Sequence, residues 1–161
     1  MRAMQDVPKD TARPVFGLGG GAAAAGWAGL LPFAAALACV ALAPDAAWRG
    51  FGVRLALAWG AVILAFVAAV HWGLALAGRW RWDAGTIVGS VLPSVLGAAA
   101  VLQGGTRGIA LLVAGFGAFW LYENRRCGEA LPADYLALRR ALTLTVVALL
   151  AVTAIAAGPD A

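Results

Sequence analysis

Long apolar runs separated by short polar stretches make up most of the chain. The hydrocarbon core of a bilayer, about 30 Å thick, takes roughly 20 residues of helix rising about 1.5 Å each. Five stretches meet that length, over about 17–43, 55–77, 84–102, 106–122 and 141–157. Pro32 lies near the middle of the first, His71 in the second and Pro93 in the third. The fourth is the tightest fit, because Arg107 and Glu123 bracket it and Arg107 has to snorkel to the interface. Backbone groups in lipid find no water to bond, so the pattern predicts an all-α fold. It is a polytopic membrane protein with five transmembrane helices in a compact bundle, flanked by tails at 1–16 and 158–161.

A cleaved leader is the rival reading of the first span. Ala41 to Ala43 resemble a cleavage site, but the apolar run is about twice the 7–15 residues of a signal-peptide core. Asp6 and Asp10 also interrupt the basic flank such a leader needs. The first span is therefore expected to stay as an uncleaved helix.

Composition agrees with the pattern. Of 161 residues, 63% are hydrophobic and 12% charged, with a mean hydropathy of +0.85; soluble domains carry about 25% charged residues. These figures exclude a disordered chain, a soluble enzyme and a nucleic-acid module. The net charge of +4 is scattered over short loops, which makes it a topology signal and leaves no nucleic-acid partner expected. Eleven of the twelve basic residues are Arg, and Ala and Gly abound, as in a GC-rich bacterial genome. Cys39 and Cys127 fall at opposite faces of the expected bundle, too far apart for a disulfide.

Arg and Lys outside the spans set the orientation. One side receives Arg2, Lys9, Arg13, Arg79, Arg81, Arg125, Arg126, Arg139 and Arg140; the other receives Arg49, Arg54 and Arg107. Nine against three predicts a bacterial inner-membrane protein with a cytoplasmic N-terminus and a periplasmic C-terminus. Trp80, Trp82, Tyr122 and Tyr135 fit an aromatic belt on the cytoplasmic side, and Trp48 fits one opposite.

Helices in lipid associate through close packing of small residues. Gly17, Gly21, Ala25 and Gly29 recur every four residues on the first span, and Gly85, Gly89, Pro93 and Gly97 on the third. Ala110, Ala114 and Ala118 do the same on the fourth. The third span, with Thr86, Ser90 and Ser94 beside its stripe, is expected at the centre. Pro32 and Pro93 are expected to kink their helices.

His71 is the single histidine, and an ionisable group inside a span is a functional candidate. Equal counting from the hairpin near Trp80 and Arg81 brings Ser90 to the same depth, within hydrogen-bonding reach of His71 if the faces meet. The stretch 132–140 reads as a short interfacial helix, with Asp134 near its start and arginines near its end. The candidate polar site is therefore His71, Ser90, Glu123, Tyr135 and Arg139, facing the cytoplasm. No Ser-His-acid arrangement has a nucleophile elbow, so no catalytic residue is expected. One histidine builds neither a bis-histidine haem nor a three-ligand zinc site, so no cofactor and no metal are expected.

Several motifs resemble the domain of unknown function 3429 family, the group that includes transmembrane protein 69. They are Leu31-Pro32-Phe33, the run Trp59 to Phe66 closed by His71-Trp72-Gly73, Ser90-Val91-Leu92-Pro93, and Tyr135 to Arg139 followed by Leu142-Thr143. The resemblance extends from Gly29 onward and departs from the family pattern at Trp59, where that pattern has Tyr, and at Ala65, where it has Ser. It implies a helical membrane protein and draws attention to His71, Ser90, Tyr135 and Arg139, but no mechanism. The expected function is that of a small multi-pass inner-membrane protein without enzymatic activity, an accessory or assembly partner of a membrane complex. It is surrounded by membrane lipid, and other membrane proteins dock on its small-residue helix faces. The alternative is binding or transport of a small lipid-soluble ligand in a cytoplasm-facing pocket around His71.

Alkaline phosphatase fused after Ala161 is expected to be active in cells, and fused before Met1 inactive. The reverse pair of activities inverts the topology.

Overall fold

The computed structural model describes residues 20–127 and 131–158, and among these it is helical with no strand. The expected N-terminal tail, Gly17 and the last three residues lie outside them. Helices follow in the order α1 Gly20–Ala28, α2 Leu31–Ala41, α3 Ala46–Leu76, α4 Ala84–Gln103, α5 Gly105–Cys127 and α6 Ala133–Ala157. α3 and α5 run toward the end bearing Arg79, Arg81, Arg125 and Arg126, called the basic end below; the others run away from it. Five segments are long and apolar enough to cross a membrane: Ala23–Ala41, Ala46–Leu76, Ala84–Gln103, Gly105–Arg126 and Ala133–Ala157.

The first span is broken rather than bent. Pro32 has no N–H, and its ring crowds the carbonyl four residues earlier, at Ala28. The helix stops at that residue, Leu30 N turns back to Trp27 O at 3.0 Å, and α2 restarts with the proline in its first turn. Gly29 is left with an unspent carbonyl at mid-span. Trp59 Nε1 on α3 donates to it at 2.9 Å, so the indole supplies a hydrogen bond where the family pattern has a tyrosine. Pro93, by contrast, lies buried within α4, which continues through it.

Two expected spans are the C-terminal parts of longer helices. α3 starts at Ala46, where Asp45 Oδ1 accepts from Trp48 N at 2.9 Å, well before residue 55. The stretch 132–140 is not a separate interfacial helix. It opens α6, because no glycine or proline interrupts the chain between Pro132 and Gly158.

α3, not the third expected span, is the hub: it packs against α2, α4, α5 and α6, whereas α4 packs against α3 and α5. Phe33, Leu64, Ile109, Leu112 and Leu150 fill the interior away from the basic end. Val62, Phe66, Ile87, Val91, Leu144 and Ile155 are exposed on the outside. A water-soluble monomer rarely carries so much outward apolar surface, whereas hydrocarbon solvates it. The chain is a multi-pass membrane bundle.

Glycines set the closest helix approaches. A Cβ on Gly52 would lie 2.8 Å from Ala36 O, and one on Gly97 3.1 Å from Ala61 Cα. The tightest is Gly108, where it would lie 2.3 Å from Ala100 O, across the turn that Gly104 makes at φ +67°. Gly108→Ala must therefore push backbone apart and is expected to lose about 1–3 kcal/mol. Gly117→Ala meets nothing within 4 Å and is expected to be neutral or to gain up to about 1 kcal/mol. Unfolding in detergent micelles checks both.

Candidate functional site

The polar layer at the basic end is assembled by three helix termini. α3 ends in a Schellman motif: Arg79 N donates to Leu74 O at 3.0 Å and Gly78 N to Ala75 O at 3.1 Å. The motif needs a left-handed residue, supplied by Gly78 at φ +66°. The turn brings Trp80 back over α3, its ring centroid 5.1 Å from that of His71. Asp83 then caps α4, its Oδ1 accepting from Thr86 N at 2.8 Å, while Thr86 Oγ1 donates to Arg81 O at 3.0 Å.

His71 is 1% exposed, one of the most buried side chains in the molecule. Besides Trp80, the edge-on rings of Phe119 and Tyr122 enclose it at centroid distances of 5.3 and 5.8 Å. Glu123, also 1% exposed, lies one turn beyond Phe119 on the same face of α5. Its Oε2 accepts from Arg139 Nε and Nη2 of α6, each at 3.1 Å. The guanidinium carbon of Arg139 stands 6.0 Å from the Phe119 centroid, so Phe119 neighbours both the imidazole and the ion pair. Glu123 Oε1 is buried with no hydrogen-bond partner among the described residues. Thr143, one turn beyond Arg139 on α6, is buried as well.

Ser90 is buried as well, but its hydroxyl donates to Thr86 O at 2.7 Å, one turn back in its own helix. The hydrogen bond anticipated between Ser90 and His71 is not made. Tyr135 is half-buried, one turn before Arg139 on α6. Thus His71, Glu123 and Arg139 meet around Phe119, while Ser90 is tied into α4.

Sequence reasoning assigned Trp80 and Tyr122 to an interfacial belt, but they are part of the site. It also missed the role of the Gly85–Gly89 pair, which is a slot for side chains and not a helix-docking stripe. A Cβ on Gly89 would lie 2.6 Å from the Tyr122 ring, and one on Gly85 2.7 Å from the Arg126 guanidinium carbon. In that slot Tyr122 Oη donates to Gly85 O at 2.7 Å, and Arg126 pairs with Asp83. The Thr86 N–H holds the exposed Asp83 carboxyl below its ordinary value; desolvation opposes this, and the bond to Arg126 adds to the lowering.

A sequence profile described as protein of unknown function (DUF3429) matches residues 20–155. The chain belongs to the DUF3429 family. Comparison with curated proteins and with solved structures gives no match. The DUF3429 region takes in every residue of the polar layer, from His71 to Thr143.

Two outcomes test this geometry. Gly89→Ala is expected to displace Tyr122 and lose about 1–2 kcal/mol, and Tyr122→Phe about 0.5–1.5 kcal/mol. The double variant should lose less than their sum, because both remove the same hydrogen bond; a double-mutant cycle in detergent measures it. Asp83, with its folded value lowered, contributes stability that is full above the unfolded value of 3.8 and lost as pH falls through the lower folded value. Asp83→Asn should flatten that acid limb in a pH series of unfolding midpoints.

Proposed function

We propose that the protein is a non-enzymatic accessory or assembly subunit of a bacterial inner-membrane complex, with a cytoplasmic N-terminus and a periplasmic C-terminus. The observation that carries this reading is how the buried polar groups are used. Asp83 and Tyr122 join the α3–α4 region to α5, Glu123 joins α5 to α6, and Trp59 ties α3 to the break in the first span. Side chains committed to holding helices together make a rigid scaffold. Away from the basic end the interior is largely apolar, with the buried Thr153 hydroxyl tied back to Leu149 O of its own helix, which supports a one-sided structure over a transmembrane conduit.

The outer surface supports the same reading. Among the described residues of the three small-residue stripes, only those of α4 turn inward. Gly21 and Ala25 on α1, and Ala110, Ala114 and Ala118 on α5, are exposed, where a helix of another membrane protein can approach closely. A second reading, a small lipid-soluble ligand held around His71, draws support from the bare Oε1 of Glu123. The aromatic rings packed round the imidazole weigh against a ligand of any size.

Affinity purification from membranes in mild detergent is expected to return a stoichiometric membrane partner, and deletion of the gene to deplete that complex. A chain recovered alone, with membrane complexes unaltered in the deletion strain, refutes the accessory role. A bound mass in native mass spectrometry that His71→Ala abolishes would favour the ligand instead.

A further inference from the structure

Glu123 precedes the exposed Asn124, Arg125 and Arg126 at the basic end of α5, so bulk water is one residue away from a carboxyl group that is itself sealed. Both contacts from Arg139 fall on Oε2, while Oε1 is buried and accepts nothing among the described residues. A carboxylate oxygen left bare in low dielectric has given up the hydrogen bonds it makes in water. A proton placed on that oxygen displaces no existing contact. We propose that Glu123 is a proton-binding site and that its pair with Arg139 is a proton-operated latch between α5 and α6 at the basic end.

The proton comes from water at that end and bonds to Oε1. One O–H bond of a hydronium ion breaks as the Oε1–H bond forms, leaving water and a neutral carboxylic acid, with no change of oxidation state. Arg139 is then a buried cation without its countercharge, a state less favourable than either the intact pair or an exposed arginine. Arg139 is close to the start of α6, and its side chain can turn along the helix toward the basic end and water. Pro132 gives the N-terminus of α6 no side-chain cap, so loss of the pair loosens an end of the helix that no cap holds.

Several groups on the elements packed against this part of α5 bear on the titration. His71 on α3 and Tyr122 on α5 line the same cluster, and Tyr135 accompanies Arg139 on α6. α4 brings only the hydroxyls of Thr86 and Ser90. Asp83, paired with Arg126, is held below the ordinary carboxylate range and stays ionised under mild acid. Arg79, Arg81, Arg125, Asp134 and Arg140 are exposed around the rim.

The test follows the full chain in lipid nanodiscs from about pH 8 to about pH 4.5, across the ordinary imidazole and carboxyl range. Infrared spectroscopy reads the carbonyl stretch of a protonated carboxylic acid. Amide hydrogen exchange over residues 136–141, corrected for its intrinsic pH dependence, reads the latch. The band is expected to rise as pH falls, and exchange in this segment to accelerate on the order of a hundredfold, the scale of a broken buried pair. Glu123→Gln is expected to lack that band and to exchange fast throughout. Glu123→Gln combined with Arg139→Gln leaves no buried charge and is expected to exchange slowly throughout. Asp83→Asn should keep the wild-type step. An exchange step that persists in Glu123→Gln, or a wild type with no band or no step, overturns the proposal. If the single variant does not fold, the wild-type series and the double variant decide it.

Discussion

Hydrocarbon supplies no partner for a hydrogen bond, so a polar group carried into the bilayer is costly unless it is met from within the protein. The consequences can be followed group by group. Pro32 frees the Gly29 carbonyl, and the indole of Trp59 comes across from α3 to meet it. Ser90, Thr145 and Thr153 return their protons to carbonyls one turn back, which lets hydroxyls sit in buried helices. Glu123 and Arg139 neutralise each other. Where such ties join two helices they are also what fixes the register of those helices, since apolar contacts alone are indifferent between protein and lipid.

The constraint divides the bundle along its length. Away from the basic end the interior is filled by Phe33, Leu64, Ile109, Leu112 and Leu150, a dry layer with no ionisable side chain among these residues. Toward the basic end the buried set changes to Thr86, His71, Glu123, Arg139 and Thr143. A buried ion pair is tolerable there because water lies a residue or two away, so desolvation is incomplete beyond Glu123 and before Arg139. The same pair at the depth of Leu64 would carry the whole desolvation cost. Placing polar groups near one interface thus gives specific helix ties at moderate cost, and it makes one end of the molecule chemically different from the other.

Small residues have two separate uses. Gly52, Gly97 and Gly108 let backbones approach one another directly. Gly85 and Gly89 leave room for the guanidinium of Arg126 and the ring of Tyr122, and so make α4 a receptacle for side chains from α5. Both uses appear in the chain as glycine at four-residue spacing. What distinguishes them is the partner, a backbone in one case and a long side chain in the other.

Much of the fold could be read from residue order because hydrocarbon imposes a length and helices impose a period. Five apolar spans and an all-helical bundle follow from those two facts, and the family motifs agree. The ion pair was legible in principle too. Ile109, Leu112, Phe116, Phe119 and Glu123 recur at alternating spacings of three and four, as do Arg139, Thr143, Val146, Leu150 and Thr153, so both charges continue a buried stripe. What residue order did not contain was which stripe faces which. Ser90 was expected to meet His71 at equal depth, but depth fixes one coordinate only, and rotation of α4 about its axis sets the other. The outward turn of the α5 alanines, the break two residues before Pro32 and the return of Trp80 onto His71 likewise depend on neighbours distant in the chain. Local order therefore determined the helices, their number and their buried faces. Only the tertiary structure decided their rotations and partners, because those are set by contacts between segments that no local pattern encodes.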